Sequence, residues 1–172
     1  MGNQVIVIID VQKDFTGTDS PYARRHGSIH AIRQATTLIQ QLLDTPKDTP
    51  FLVTQSAYRP NQFGPGLSMC IPGTPGHDLD LQLNTPHTIV VKNEHSCFTA
   101  PDFIRYLQDH QIDTLLLCGL LAEYCVKQTA LDALNQGYKI ILLQDYISTG
   151  DDVQERKMQT LQALQQRGAI IQ

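Results

Sequence analysis

Gly119-Leu-Leu-Ala-Glu-Tyr-Cys-Val-Lys-Gln-Thr-Ala-Leu-Asp-Ala133 is the stretch on which the fold turns. The run before it, Thr114 to Cys118, reads as a strand. Beyond it Val126, Thr129, Ala130, Ala133 and Leu134 recur at helical spacing as far as a stop at Gly137. A strand therefore passes straight into a helix, expected over about Cys125 to Gln136, with Cys125 at the join. The first N–H groups of a helix lack intrahelical acceptors and its dipole is positive there, so a thiolate or a developing oxyanion is favoured at that point. Free cysteine also has an ordinary use, as a small hydrophobe in a core.

The same alternation runs outward in both directions. Val5–Ile9, Phe51–Thr54, Thr88–Val91, Thr114–Cys118, Lys139–Leu143 and Ala169–Ile171 read as strands buried on both faces. Ile29, Ile32, Ala35, Leu38, Ile39 and Leu42 mark one helix face, Phe103, Ile104 and Leu107 a shorter one, and Val153, Leu161 and Leu164 a last one. Thr99, Pro101 and Asp102 resemble a capped helix start. Residues 56–86 show no periodicity and carry Gly64-Pro-Gly66 and Pro72-Gly-Thr-Pro-Gly76, as a functional loop region does. The fold class is α/β with an open parallel sheet, in a single domain spanning residues 1–172.

In such a sheet the ligand site lies beyond the carboxyl ends of the strands, where strand order reverses. Asp10 follows the first strand, Lys92 the third, and Cys125 lies in the turn after the fourth. A thiol of pKa about 8.5 needs a base or a positive field to become a nucleophile at neutral pH. Asp10 suits the base, and Lys92 suits stabilisation of negative charge. Taken singly, each has a commoner use: a turn aspartate, a surface lysine. Asp14 reads as a turn or helix-entry acid.

Composition narrows the partners. The 172 residues carry a formal charge of -4 and a pI near 5.8, which offers no basic surface to nucleic acid or to an anionic membrane. The longest apolar runs are too short to span a bilayer and no signal-peptide layout opens the chain, so a cytoplasmic location is expected. Cys70, Cys97, Cys118 and Cys125 form no C-x-x-C pair and are expected as free thiols. No G-x-G-x-x-G follows the first strand, which excludes a dinucleotide fingerprint there.

Val5-Ile-Val-Ile-Ile-Asp-Val-Gln-Lys-Asp-Phe15, Pro72-Gly-Thr-Pro-Gly76, Val91-Lys-Asn-Glu-His-Ser-Cys-Phe98 and the stretch around Cys125, in that order, resemble the isochorismatase-like cysteine hydrolases over nearly the whole chain. The resemblance implies a three-layer αβα fold with an open six-stranded parallel sheet in the order 3-2-1-4-5-6. It implies a triad of Asp10, Lys92 and Cys125 and assembly as a homodimer or homotetramer. It also implies a cis peptide between Leu120 and Leu121 that turns the Leu121 N–H toward an oxyanion hole shared with the N–H of Cys125.

The implied activity is hydrolysis of a small-molecule amide or related C–N bond through a thioester. Isochorismatases proper cleave a vinyl ether and typically do without the cysteine, which makes that the alternative reading. A non-catalytic binding or regulatory protein on the same fold is the third. The nicotinamidase branch binds a metal just after the second strand, but Ser56 and Tyr58 stand here where its first Asp and His ligands would be, so neither metal nor other cofactor is expected. Ala122-Glu123 replaces a frequent Thr-Asp. Phe15, Tyr58 and Tyr124 are the expected pocket walls, ahead of Tyr22, Phe63 and Phe98. His77, His87 and His95 match no metal motif and read first as loop or surface residues; Gln12, Arg59 and His95 are the weaker candidates for polar selectivity.

Overall fold

A computed structural model describes residues 3–172. Six strands pair in parallel: β1 (Asn3–Ile9), β2 (Phe51–Ser56), β3 (His87–Lys92), β4 (Ile112–Leu120), β5 (Lys139–Ser148) and β6 (Ile170–Ile171), in the order β3-β2-β1-β4-β5-β6. Every expected strand is present, most of them longer than the apolar runs that signalled them. β1 is central, and successive side chains leave it on opposite faces. Val5, Val7 and Ile9 join one buried cluster, while Ile6 and Ile8 join another.

Six helices cover these faces. On one side α4 (Pro101–Asp109), α5 (Lys127–Asn135) and α6 (Gln154–Gln166) place Phe103, Leu107, Ala130, Ala133, Leu161 and Leu164 against Val5, Val7, Leu115 and Leu117. On the other, α3 (His30–Asp44) buries Ile39 and Leu43 against Ile6, Ile8 and Val53. Each such side chain contributes about 1.5 to 3 kcal/mol by leaving water, and an aspartate at Ile39 would detach α3. The short α1 (Lys13–Thr16) and α2 (Pro21–His26) were not expected from periodicity, being only one to two turns long. Ser20 accepts from the Ala23 N–H and Pro21 opens α2, a local start signal that periodicity ignores.

Three expectations need correction. β3 and β6 are edge strands and are not buried on both faces, since Ile89, Val91 and Ile170 remain 45%, 50% and 59% exposed. Thr99 does not cap α4: its hydroxyl donates to the Ser96 carbonyl, and Ala100 holds the cap position without a side-chain bond. Cys125 does not open the α-helix. Ala122–Val126 form a π-helical turn and α5 follows from Lys127, because Val126 N–H bonds the Leu121 carbonyl five residues back.

Candidate active site

The sheet's order reverses about β1, whose neighbours are β2 and β4, and the carboxyl ends of these strands carry the site. Just past the end of β1, Asp10 adopts φ 51° and is fully buried. Thr54 and Ser56, two residues apart on β2 and so on one face, donate to its two oxygens at 2.8 and 2.7 Å. Lys92 closes β3 directly opposite Ser56 in the parallel register. Its ammonium lies 2.8 Å from Asp10 Oδ2 and also donates to Ser56 Oγ at 2.8 Å and the Glu94 carbonyl at 3.0 Å. Burial works to lower the lysine's pKa, but Asp10 beside it carries it well above the ordinary value, so Lys92 is a cation.

Cys125 meets this pair from the other side of the reversal. Its Sγ is 3.5 Å from Lys92 Nζ, 3.2 Å from the Tyr58 hydroxyl and 3.6 Å from His95 Nδ1. Burial pushes the thiol up to about 12, against the pull of Lys92 and with Asp10 reinforcing the rise. At rest the sulfur therefore holds a proton, and a carboxylate and an ammonium stand beside it. Gly119, just before the turn, has φ 113°, and a side chain there would run into the backbone of Ile9; β4 can approach β1 closely only with glycine. The Leu120–Leu121 peptide is cis. The Leu121 carbonyl accepts from both Tyr124 and Val126, bracketing the Cys125 N–H.

A cavity of about 230 Å³ opens over Cys125. Phe15, Tyr58 and Tyr124, the expected walls, all line it, as do Tyr22, Phe63 and Leu121. Phe63 stacks on His95 at 4.2 Å and Tyr58 meets Phe63 edge-on at 4.8 Å, so the wall nearest the sulfur is a continuous aromatic surface. Phe98 is elsewhere, packed in the core against Phe103 and Tyr138. Gln12 is a strut: it donates to the Ser56 and His77 carbonyls and accepts from the Ser56 N–H. Arg59 is exposed and does not line the cavity, whereas His95 does, its pKa lowered by burial and then by Lys92. Asp14 pins the long loop by accepting from the Cys70 N–H at 2.6 Å, and Gly76 passes so near Asp14 that no side chain would fit. Glu123 reaches out of its turn to accept from Thr149.

Sequence reading missed the roles of Thr54 and Ser56 and the cavity residues Arg25 and Arg156. The signal for the first two was available, since a Thr-x-Ser pair at the end of an otherwise apolar strand puts two hydroxyls on one face. Nothing local signals Arg25 on α2 or Arg156 on α6, which meet only in the folded chain.

A nicotinamidase of Escherichia coli is 52% identical over 40 residues, which span 23% of this chain and only 19% of that protein's length. A nicotinamidase of Acinetobacter baylyi is 27% identical over 173 residues, covering 83% of this chain and 80% of that one. In fold the chain is similar to a pyrazinamidase of Pyrococcus horikoshii solved in complex with zinc, with a TM-score of 0.84 at 22% identity over 99% of this chain and 98% of that.

The residues here do not fit such an ion. Ser56 is spent between Asp10 and Lys92, and the Tyr58 hydroxyl is against the thiol. Among the described residues no three His, Cys, Asp or Glu side chains gather as metal ligands would. A family model for the isochorismatase domain matches residues 4–172, and with the strand order and the convergence of Asp10, Lys92 and Cys125 already described, the chain belongs to the isochorismatase family.

Proposed function

We propose that this protein is a cysteine-dependent hydrolase of a small-molecule amide or related C–N bond, acting through a thioester. The observation that carries the reading is the convergence of the Cys125 sulfur, the Asp10 carboxyl group and the Lys92 ammonium within one buried cluster at the floor of an aromatic cavity. Asp10 takes the Cys125 proton, and Lys92 holds the carboxylate in place and attracts the thiolate. The thiolate attacks the carbonyl carbon, and the N–H groups of Leu121 and Cys125 receive the oxyanion; losing one such donor typically costs about 2.7 to 4 kcal/mol of transition-state stabilisation. Asp10 returns the proton to the leaving amine, then activates the water that cleaves the thioester.

The cavity's size and aromatic lining favour a small planar or apolar substrate. Assembly as a homodimer or homotetramer, expected from the family resemblance, belongs to the same reading and is tested by sedimentation.

The deciding experiment follows product formation, ammonia included, from small amides, ureido acids and isochorismate, with the native protein and Cys125→Ala. Amide turnover that disappears in the variant is the expected result. Isochorismate turnover surviving the substitution would replace this reading with vinyl-ether hydrolysis. Ligand binding without turnover of any compound would support a binding role instead.

A further inference from the structure

Tyr58 has more to do than wall the cavity. It follows β2 by two residues and is held from several directions. Its N–H donates to the Cys70 carbonyl at 3.1 Å, Phe63 packs edge-on to its ring, and the Lys92 ammonium lies 5.7 Å from the ring centroid on the cluster side. The side chain is 6% exposed, and Cys125 Sγ is the hydrogen-bond partner of its hydroxyl, at 3.2 Å. A ring fixed in this way presents its hydroxyl to one atom, the sulfur.

We infer that Tyr58 is a catalytic residue that donates its hydroxyl hydrogen bond to the Cys125 sulfur whenever that sulfur is a thiolate. The inference rests on the proposed thiol chemistry and adds a residue to it. In the resting thiol either partner can donate. Once Asp10 has taken the thiol proton, sulfur can only accept, and the phenol becomes the donor. Its proton stays on oxygen throughout: burial, and then the neighbouring thiol, push the phenol's ionisation far above its ordinary value, so it neither competes with Asp10 as a base nor adds a charge.

The bond forms at two moments of the cycle. Before attack, it and Lys92 donate to a sulfur anion held away from water, with His95 Nδ1 at 3.6 Å as a further contact. When the C–S bond forms, the charge moves to the oxyanion and the bond weakens. When water opens the thioester, the C–S electron pair returns to sulfur and the bond is restored, which eases the departure of the thiolate. Hydrogen bonds to charged groups are the stronger kind, so the effect should be large enough to read.

Tyr58→Phe removes the hydroxyl and keeps the ring and its contacts. Thiolate ultraviolet absorbance, taken as the difference from Cys125→Ala across a pH series, is the first measurement because it needs no substrate. The Cys125 thiolate fraction at a given alkaline pH should fall about tenfold or more in Tyr58→Phe. With any amide that the native protein turns over, kcat should fall about 10- to 100-fold while KM stays near its native value. Fluorotyrosine placed at position 58, a better donor of nearly the same shape, should move the titration the opposite way. An unmoved titration in both variants, or a raised KM with native kcat, would reduce Tyr58 to a wall and overturn the inference. Failure of the hydrolase reading looks different, because a Cys125-dependent titration that responds to Tyr58 can accompany a complete lack of amide turnover.

Discussion

Cys118 and Cys125 are seven residues apart, both buried and both free thiols, yet they occupy opposite chemical worlds. Cys118 is inside β4, two residues before its end, packed with Ile6, Ile8 and Ile39, with its sulfur 3.5 Å from the Val7 carbonyl and no charged group acting on it; burial alone pushes its thiol up. Cys125 is just past the end of the same strand and as deeply enclosed, but Lys92, Asp10, Tyr58 and His95 surround it. Enclosure is common to both and so explains nothing about reactivity. The difference comes from position: inside the strand, the neighbours of Cys118 are apolar side chains of β1, β2 and α3, whereas beyond the carboxyl end three other strands deliver polar residues to Cys125.

The contrast breaks most severely if the two cysteines are removed in turn. Cys125→Ala should lower kcat by about 10⁴-fold or more, as loss of an enzymic nucleophile does, while Cys118→Ala should keep kcat near the native value. Comparable losses from both would mean that the surroundings of Cys125 carry no special function.

Lys92→Met attacks those surroundings directly. It leaves the buried Asp10 carboxylate with the Thr54 and Ser56 hydroxyls but without its countercharge, and removing one member of a buried pair costs about 3 to 5 kcal/mol. Urea unfolding should show a loss of that size, with part of it recovered in the Lys92→Met/Asp10→Asn double variant. A loss below about 1 kcal/mol would show the pair to be as weakly coupled as a surface ion pair.

Gly119, between the two cysteines, is the next test. Gly119→Ala should destabilise by about 1 to 3 kcal/mol from its positive φ alone, and further from the Ile9 backbone in its way. Thermal unfolding measures this, and a neutral result would mean that β4 can re-pack against β1.

The smallest effect is one of pH. The thiols of both cysteines are raised in the folded protein, so folding holds their protons more tightly than the unfolded chain does. Their contribution to stability is therefore complete below the unfolded value of about 8.5 and erodes as pH climbs toward the folded values. Lys92, also raised, contributes in the same direction, with its loss beginning above about 10.4. Cys118→Ala should flatten the alkaline decline by up to about 1.4 kcal/mol per pH unit. An unchanged slope in chemical denaturation series would mean that Cys118 titrates in the fold as it does in the unfolded chain.

How much was readable in advance follows from how local each signal is. Strand apolarity, helix periodicity and the strand-to-helix passage at Gly119–Ala133 depend on neighbours a few residues away, and they led to the open parallel α/β class, while the family resemblance supplied the three layers and the strand order. Asp10, Lys92 and Cys125 were also reachable, since each stands at a strand end and the parallel topology collects such ends. The π-helical turn at Ala122–Val126 was not, because the pattern of buried residues cannot tell a wide first turn from an ordinary helix start.

Residue types in order thus determined the α/β class, the strand ends and the chemical groups available there. Tertiary structure alone decided what those groups became. Ser56 turned from a poor metal ligand into a bridge between Asp10 and Lys92, Tyr58 from a wall into a partner of the sulfur, and Phe98 from a wall into core. The physical reason is that hydrogen bonds and charge interactions act over a few ångströms, and residues 10, 56, 58, 92 and 125 come within that range of one another only when the sheet has closed.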